Sequence, residues 1–224
     1  MFSLNIFFET LLGISQNKSL CRILQNFYSK KITVHGNVIE FGATPNSNKN
    51  FIHIMKKKKI ERIFYSDKHI KNKDIINVDL NKNISIKKNF FNTVLLFNVL
   101  EHITDAENAK NQISKILKKN GLLIGSSPFL YRFHAAPSDY LRFTKPYFNQ
   151  LFNKSFKIIK IENVGFGPFC VCFSMISDFT RKIPFLNYFL FTFAFLLDYI
   201  LSKFVSYDLK DIYPIAVFFN VKKK

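Results

Sequence analysis

Phe91-Asn92-Thr93-Val94-Leu95-Leu96-Phe97-Asn98-Val99-Leu100-Glu101-His102-Ile103 is the stretch on which the fold turns. Its first half is almost continuously apolar, as in a parallel-sheet strand covered on both faces, where neither side meets water. Ionisable residues appear only at its carboxyl end. Beyond it, Thr104-Asp105-Ala106-Glu107 has the spacing of a capping box, the Thr hydroxyl and the Glu carboxylate each taking an orphan N–H. Ala109, Ile113, Ile116 and Leu117 continue at helical spacing, with Lys118 and Lys119 near the negative end and Gly121 expected as the left-handed stop. Leu122 to Ser126 reads as the next strand.

Upstream, Val38-Ile39-Glu40-Phe41-Gly42 is a short buried strand ending at a turn. Asn46 or Ser47 is expected to cap a helix with Phe51, Ile54 and Met55 facing inward. Ile60 to Tyr65, closed by Ser66-Asp67, and Ile75 to Asp79 give two further strands. Phe156 to Glu162 and Ile215 to Val221 complete the sheet. Strand and helix at this cadence imply an α/β domain with a parallel sheet and right-handed crossovers. The expected organisation is an N-terminal helical extension over 1–35, opened by an amphipathic helix within Met1 to Glu9. An α/β domain follows over 36–224, with an apolar helical insertion at about 169–205.

A chain of 224 residues with 48% hydrophobic and 21% charged residues can bury one substantial core, which excludes wholesale disorder. The net charge of +18 raises nucleic acid as a partner. However, the runs Lys56-Lys57-Lys58-Lys59 and Lys222-Lys223-Lys224 lack an aromatic stacking platform beside them and read as solvated faces, the first on a helix. Nucleic acid is therefore not favoured. Abundant Lys, Asn, Ile and Phe beside sparse Gly and Ala point to AT-rich coding as part of the charge. Cys21, Cys170 and Cys172 offer no disulfide or metal framework, so no metal is expected and a reducing, cytoplasmic setting fits. The N-terminus has no basic region of a secretory signal. Ile183 to Leu201 is apolar but interrupted by Pro184, Asn187 and Asp198, and its clean run from Tyr188 to Leu197 is half of the ~20 residues a span needs. Flanked by Arg181, Lys182 and Lys203, it is expected as a lid or core helix, or as an interfacial helix in peripheral contact with a membrane, with a true span the least favoured of the three readings.

In an open parallel sheet, ligands bind beyond the carboxyl ends of the strands, near the point where the strand order reverses. The polar residues there are Glu40, Asp67, Asp79, Asn98 with Glu101, and Ser126-Ser127. Three acids ending three successive strands suit a nucleoside: one carboxylate takes the ribose hydroxyls, another the adenine amino group, and the turn at Gly42 admits the ligand to the backbone. Acids after strands also serve as helix caps, and it is their joint placement that favours the ligand. A second cluster, His134, Asp139, Tyr140 and Arg142 with Arg132, is suited to an anionic or sugar-like acceptor, Arg offering a fork and His a proton acceptor. Its alternative is a structural loop in which Asp139 and Arg142 pair. Glu101-His102 reads either as an acid–base pair at the cleft or as a helix start with local packing. His35, His53 and His69 are expected outside the cleft.

The Val99-Leu100-Glu101-His102 segment after the fourth strand resembles the class I S-adenosylmethionine-dependent methyltransferases, particularly those with the type-11 domain. Ile116-Leu117-Lys118-Lys119-Asn120-Gly121-Leu122-Leu123-Ile124 is similar to that family's turn into its fifth strand. His134-Ala135-Ala136-Pro137-Ser138-Asp139-Tyr140-Leu141-Arg142-Phe143-Thr144 is similar to a segment found in a subset of it. The resemblance implies a Rossmann-like, mostly parallel seven-stranded sheet with helices on both faces, and S-adenosyl-L-methionine as cofactor. It places Glu40 and Gly42 at the methionine moiety, Asp67 at the ribose, Asp79 at the adenine and Asn98 beside the sulfonium. The implied activity is methyl transfer to a small-molecule or lipid-linked acceptor, with His134, Asp139, Tyr140 and Arg142 as candidate catalytic residues. The chain departs from the family at Gly42-Ala43-Thr44-Pro45-Asn46, where one Gly stands in place of a Gly-rich loop and Pro45 removes a backbone donor. That departure is the ground for an alternative: a catalytically degenerate fold-mate acting as a binding or membrane-peripheral module. A dinucleotide-dependent oxidoreductase is weaker still, because it needs a Gly-rich turn into a helix.

Overall fold

Seven strands form one sheet in the order β3-β2-β1-β4-β5-β7-β6. The strands are β1 (Thr33–Phe41), β2 (Lys56–Asp67), β3 (Ile75–Asn77), β4 (Phe91–Phe97), β5 (Leu117–Pro128), β6 (Phe156–Val164) and β7 (Ala216–Lys223). The helices are α1 (Leu4–Ser15), α2 (Leu20–Ser29), α3 (Ala106–Ile116), α4 (Lys145–Asn153), α5 (Pro168–Thr180), α6 (Pro184–Leu201) and α7 (Leu209–Ile212). This computed structural model describes residues 2–70, 72–135, 137–180 and 182–224, so Met1, Ala136 and Arg181, cited above, lie outside the described residues. β1 pairs in parallel with β2 and β4, β2 with β3, and β4 with β5. β1 begins at Thr33, so the sheet starts ahead of residue 36.

The chain divides into two compact units. The sheet unit comprises residues 29–127, 134–162 and 218–224. Val38, Ile39, Val94, Leu95, Leu96 and Ile124 are sealed from solvent there, the double-sided burial that the apolar runs require. Phe148 packs between Phe152 and Phe219, with ring centroids 5.7 and 5.0 Å away. Gly125 of β5 is required by close approach: a Cβ there would lie 2.0 Å from the Leu96 carbonyl oxygen of β4. The helical unit comprises residues 1–28, 128–133 and 163–217. Phe7 of α1 stacks against Phe191 and Phe195 of α6, and the carboxylate of Asp198 on α6 accepts from the Phe169 and Cys170 N–H groups at 3.0 and 2.9 Å. Asp198 thereby satisfies two orphan donors in the first turn of α5.

Several local expectations are corrected. The helix expected after Asn46 is only a 3-10 turn, Phe51–His53. Its approach, Asn46 to Asn50, is rich in side chains that bond the backbone locally: Asn50 donates to the Thr44 carbonyl at 2.7 Å and Ser47 Oγ accepts from Lys49 N–H at 3.2 Å. α3 is capped by Asp105, whose carboxylate accepts from Asn108 N–H at 2.9 Å, because the Thr104 hydroxyl donates to Asn81 instead. α3 ends at Ile116, and the left-handed residue after it is Asn120 rather than Gly121. Lys56 to Lys59 are exposed as expected, but on β2 rather than on a helix.

Candidate functional site

The strand order reverses between β1 and β4, and the chain opens a cavity of about 270 Å³ at their carboxyl ends. Gly42 (φ +69°) turns the chain out of β1, with its N–H and that of Ala43 donating to the Ser66 carbonyl at 2.7 and 3.2 Å. Asn98 does the same after β4. It sits in the left-handed region at φ +54°, which Asn tolerates better than most side chains, and its N–H donates to the Ser126 carbonyl at 2.8 Å. These two turns bring Gly42, Asn98 and Val99 to one wall.

Asp67 at the end of β2 and Asp79 beyond β3 line the same cavity, as does Tyr140. Asp67 Oδ1 accepts from the N–H groups of His69 and Ile70 at 2.7 and 3.1 Å, a turn that holds the carboxylate at the rim. Asp79 accepts from Asn81 N–H at 3.0 Å and pairs with Lys68 at 3.2 Å. Burial pushes its carboxyl upward, but the Asn81 N–H and the Lys68 ammonium outweigh that and hold it below the usual value. Ser66, Lys68, Asn81 and His102 complete the polar lining, and His69, expected outside the cleft, belongs to it. Val78, Leu80, Val99 and Ile103 supply the apolar part.

Glu40 is not in this lining. It is buried, and its carboxylate accepts from Phe51 N–H at 2.7 Å and Ile52 N–H at 3.0 Å, holding the 3-10 turn after β1. Its expected place at a methionine moiety therefore meets a carboxylate already committed to the backbone. Pro45 is likewise absent from the lining among the described residues.

His134, Asp139 and Arg142 come together, while Tyr140 turns to the cavity. Asp139 is clasped by both Arg142 guanidinium nitrogens, accepts from His134 N–H at 3.0 Å and lies 3.2 Å from His134 Nδ1. The Arg142 guanidinium, against some burial, holds the Asp139 carboxyl far below the ordinary range. Arg132 is engaged elsewhere, by Asp178. Glu101, in the turn Leu100–His102, is fully buried and accepts from the Ser127 hydroxyl at 3.2 Å. Burial lifts its carboxyl to about 8, against the pull of Ser127 and Arg142. Its backbone carbonyl accepts from the N–H groups of Tyr140 and Leu141 at 2.8 and 3.3 Å, tying the 139–142 segment to the end of β4.

A family model described as a methyltransferase domain matches residues 14–156, well over half of the chain. The chain belongs to the class I methyltransferases. Among curated proteins none matches it by sequence. Among solved structures, the cyclase SpnF superposes with a TM-score of 0.55 at 11% identity, covering 90% of this chain and 80% of that one. Phosphoethanolamine N-methyltransferase 2 of Haemonchus contortus gives 0.52 at 15%, over 89% of this chain but only 52% of its own. A methyltransferase of Haloferax volcanii, in complex with its Trm112 activator, gives 0.52 at 11%, over 96% and 93%. At these identities the structural likenesses speak to the fold alone, and a cyclase among them illustrates that one fold carries more than one chemistry.

The methyltransferase's cofactor is S-adenosylmethionine, and the residues present fit it. The cavity approaches the roughly 300–1,000 Å³ of small-molecule sites and joins two carboxylates from adjacent strand tips to apolar walls.

Proposed function

We propose that this methyltransferase works at an anionic membrane surface and transfers a methyl group from S-adenosylmethionine to a lipid-linked acceptor. In this reading Asp67 holds the ribose hydroxyls, Asp79 the adenine amino group, Gly42 gives access beside the methionine moiety, and Asn98 stands beside the sulfonium. The cofactor supplies a methyl group on an already activated sulfonium. The protein's part is then to align donor and acceptor and exclude water, with Tyr140 at the cavity the nearest candidate to touch the acceptor.

The observation that carries the membrane part is the inverted polarity of α6. Its buried face includes Asn187, Phe191, Ala194 and Asp198, two of them polar. Its exposed face carries Phe185 (87% exposed), Phe189 (66%), Phe193 (53%), Leu196 and Ile200. On α1, Leu4, Phe8 and Leu12 repeat the pattern at every fourth residue. Lys182 and Lys203 bracket α6, and the chain carries +18 charges, which complements an anionic leaflet. Among the described residues no helix is long and apolar enough to cross a membrane, so this face is suited to lying in the interface.

The test is co-sedimentation with phosphatidylcholine vesicles with and without phosphatidylglycerol, followed by transfer of labelled methyl groups into a lipid extract. The chain should pellet with the anionic vesicles, and label should enter the solvent-extractable fraction. Phe189→Asp with Phe193→Asp should weaken vesicle binding at least about tenfold, since a fully buried phenyl ring is worth roughly 1.5–3 kcal/mol. Failure to pellet, or label confined to water-soluble products, would contradict the proposal.

A further inference from the structure

Where β4 ends, three side chains of the sheet unit converge, of which His102 alone also lines the methyl-donor cavity. Glu101 Oε1 lies 3.9 Å from His102 Nε2 and 3.9 Å from His134 Nε2, and the three ligating atoms are all within 4.8 Å of one another. The two imidazoles face each other edge to face, with centroids 5.1 Å apart. We infer that Glu101, His102 and His134 form a binding site for a divalent transition-metal ion of the zinc type, through Glu101 Oε1 and the two Nε2 atoms.

The separations are too long for direct hydrogen bonds, which end near 3.2 Å for N–H···O. They are close to what an ion needs: with two separations of 3.9 Å and the third no more than 4.8 Å, the three atoms surround a point at most about 2.5 Å from each, a short rotation from the roughly 2.0–2.2 Å of zinc bonds. Glu101 Oε1 is buried and has no hydrogen-bond partner, although the other carboxylate oxygen takes the Ser127 hydroxyl. A buried oxygen left this way costs free energy unless something occupies the gap. His102 is also oriented as a metal ligand is: its Nδ1 is engaged by the Ser138 carbonyl at 2.6 Å, which turns Nε2 toward Glu101, the outer-shell arrangement that fixes tautomer and ring angle. His134 Nδ1 lies 3.2 Å from the carboxylate of Asp139, itself clasped by Arg142, at ion-pair distance but without hydrogen-bond alignment, and the His134 backbone N–H donates to the same carboxylate. Two imidazoles and one carboxylate are a set that suits zinc and related ions and leaves coordination positions open. Because His102 also lines the cavity, a bound ion would lie at its wall, where it could hold and polarise an acceptor oxygen. The site itself stands on the three side chains; only that use rests on the methyltransferase reading.

The experiment is calorimetric titration of the chelator-treated chain with Zn²⁺, and with Co²⁺ followed by its visible absorption. A Cys172→Ser background removes the exposed thiol as a competing ligand. One ion per chain should bind, with cobalt spectra of nitrogen and oxygen ligation. His102→Ala and His134→Ala should each abolish saturable binding, and Asp139→Asn should weaken it about 10–100-fold. His69→Ala should leave it unchanged. Circular dichroism reports whether each variant is folded, and Glu101→Gln, an isostere, removes the ligand charge with least disturbance. Zinc binding that survives loss of both histidines in a folded chain would overturn the assignment. S-adenosylhomocysteine affinity, measured separately on the same samples, reports on the donor site and so keeps the two failures apart.

Discussion

Asp67 and Asp105 are both acids that follow apolar stretches, yet their positions give them different work. Asp67 lines the cavity, whereas Asp105 caps α3 away from it. Asp67→Ala should weaken S-adenosylhomocysteine binding several-fold or more, read by calorimetry. Asp105→Ala should leave affinity unchanged and cost about 1 kcal/mol of stability, the usual worth of an N-cap. Equal affinities in the two variants would contradict the cleft assignment. Gly125 makes a sharper case, because the group its Cβ would meet at 2.0 Å is a backbone carbonyl of the neighbouring strand and cannot rotate away. Gly125→Ala should destabilise by at least the roughly 1–3 kcal/mol of ordinary overpacking, measured by chemical denaturation.

Among the elements, α5 and α6 meet through the Phe173–Phe191 ring contact and through one buried acid. Asp198 is sealed from solvent, and burial raises its carboxyl above the ordinary value despite the N–H groups of Cys170 and Phe169. With the folded value raised above the unfolded one, the acid's contribution to stability is fully present below about pH 4 and declines as pH rises through the folded value. Asp198→Asn abolishes that titration. The stability of the variant relative to the parent should therefore increase from pH 4 to pH 7, as denaturation midpoints at the two values would register. A difference independent of pH would mean that the carboxyl does not titrate differently in the fold. α3 teaches a related lesson: its cap moved by one residue because Asn81, remote in sequence, had already taken the Thr104 hydroxyl.

For the molecule as a whole, charge and apolar surface act together. The excess of +18 charges should make vesicle binding fall as salt rises from about 0.05 to 0.5 M, because screening shortens the reach of exposed lysines. The apolar face of α6 and α1 should leave a residual, salt-insensitive part, and the Phe189→Asp with Phe193→Asp variant should lose it. Binding that vanishes entirely at high salt in the parent chain would assign attachment to charge alone.

The central strands β1, β4 and β5 were legible from the sequence because burial on both faces forces unbroken apolar runs, whereas the exposed, lysine-rich start of β2 carried no such run and that strand was legible only from Ile60 onward. The acids at the strand tips were legible for the same reason, since a strand's end is where polarity resumes. What only the tertiary structure decided is which of those polar groups share a space. Glu40 and Asp67 each end a strand, yet one carboxylate is drawn under the sheet by two backbone N–H groups while the other stays at the cavity rim. Likewise His134 meets Glu101 and His102 from more than thirty positions further along the chain, on a returning segment that the Glu101 carbonyl anchors at Tyr140 and Leu141. Side-chain periodicity is a local property of the backbone, but the partners of a polar atom are settled by packing, and no spacing along the chain encodes them.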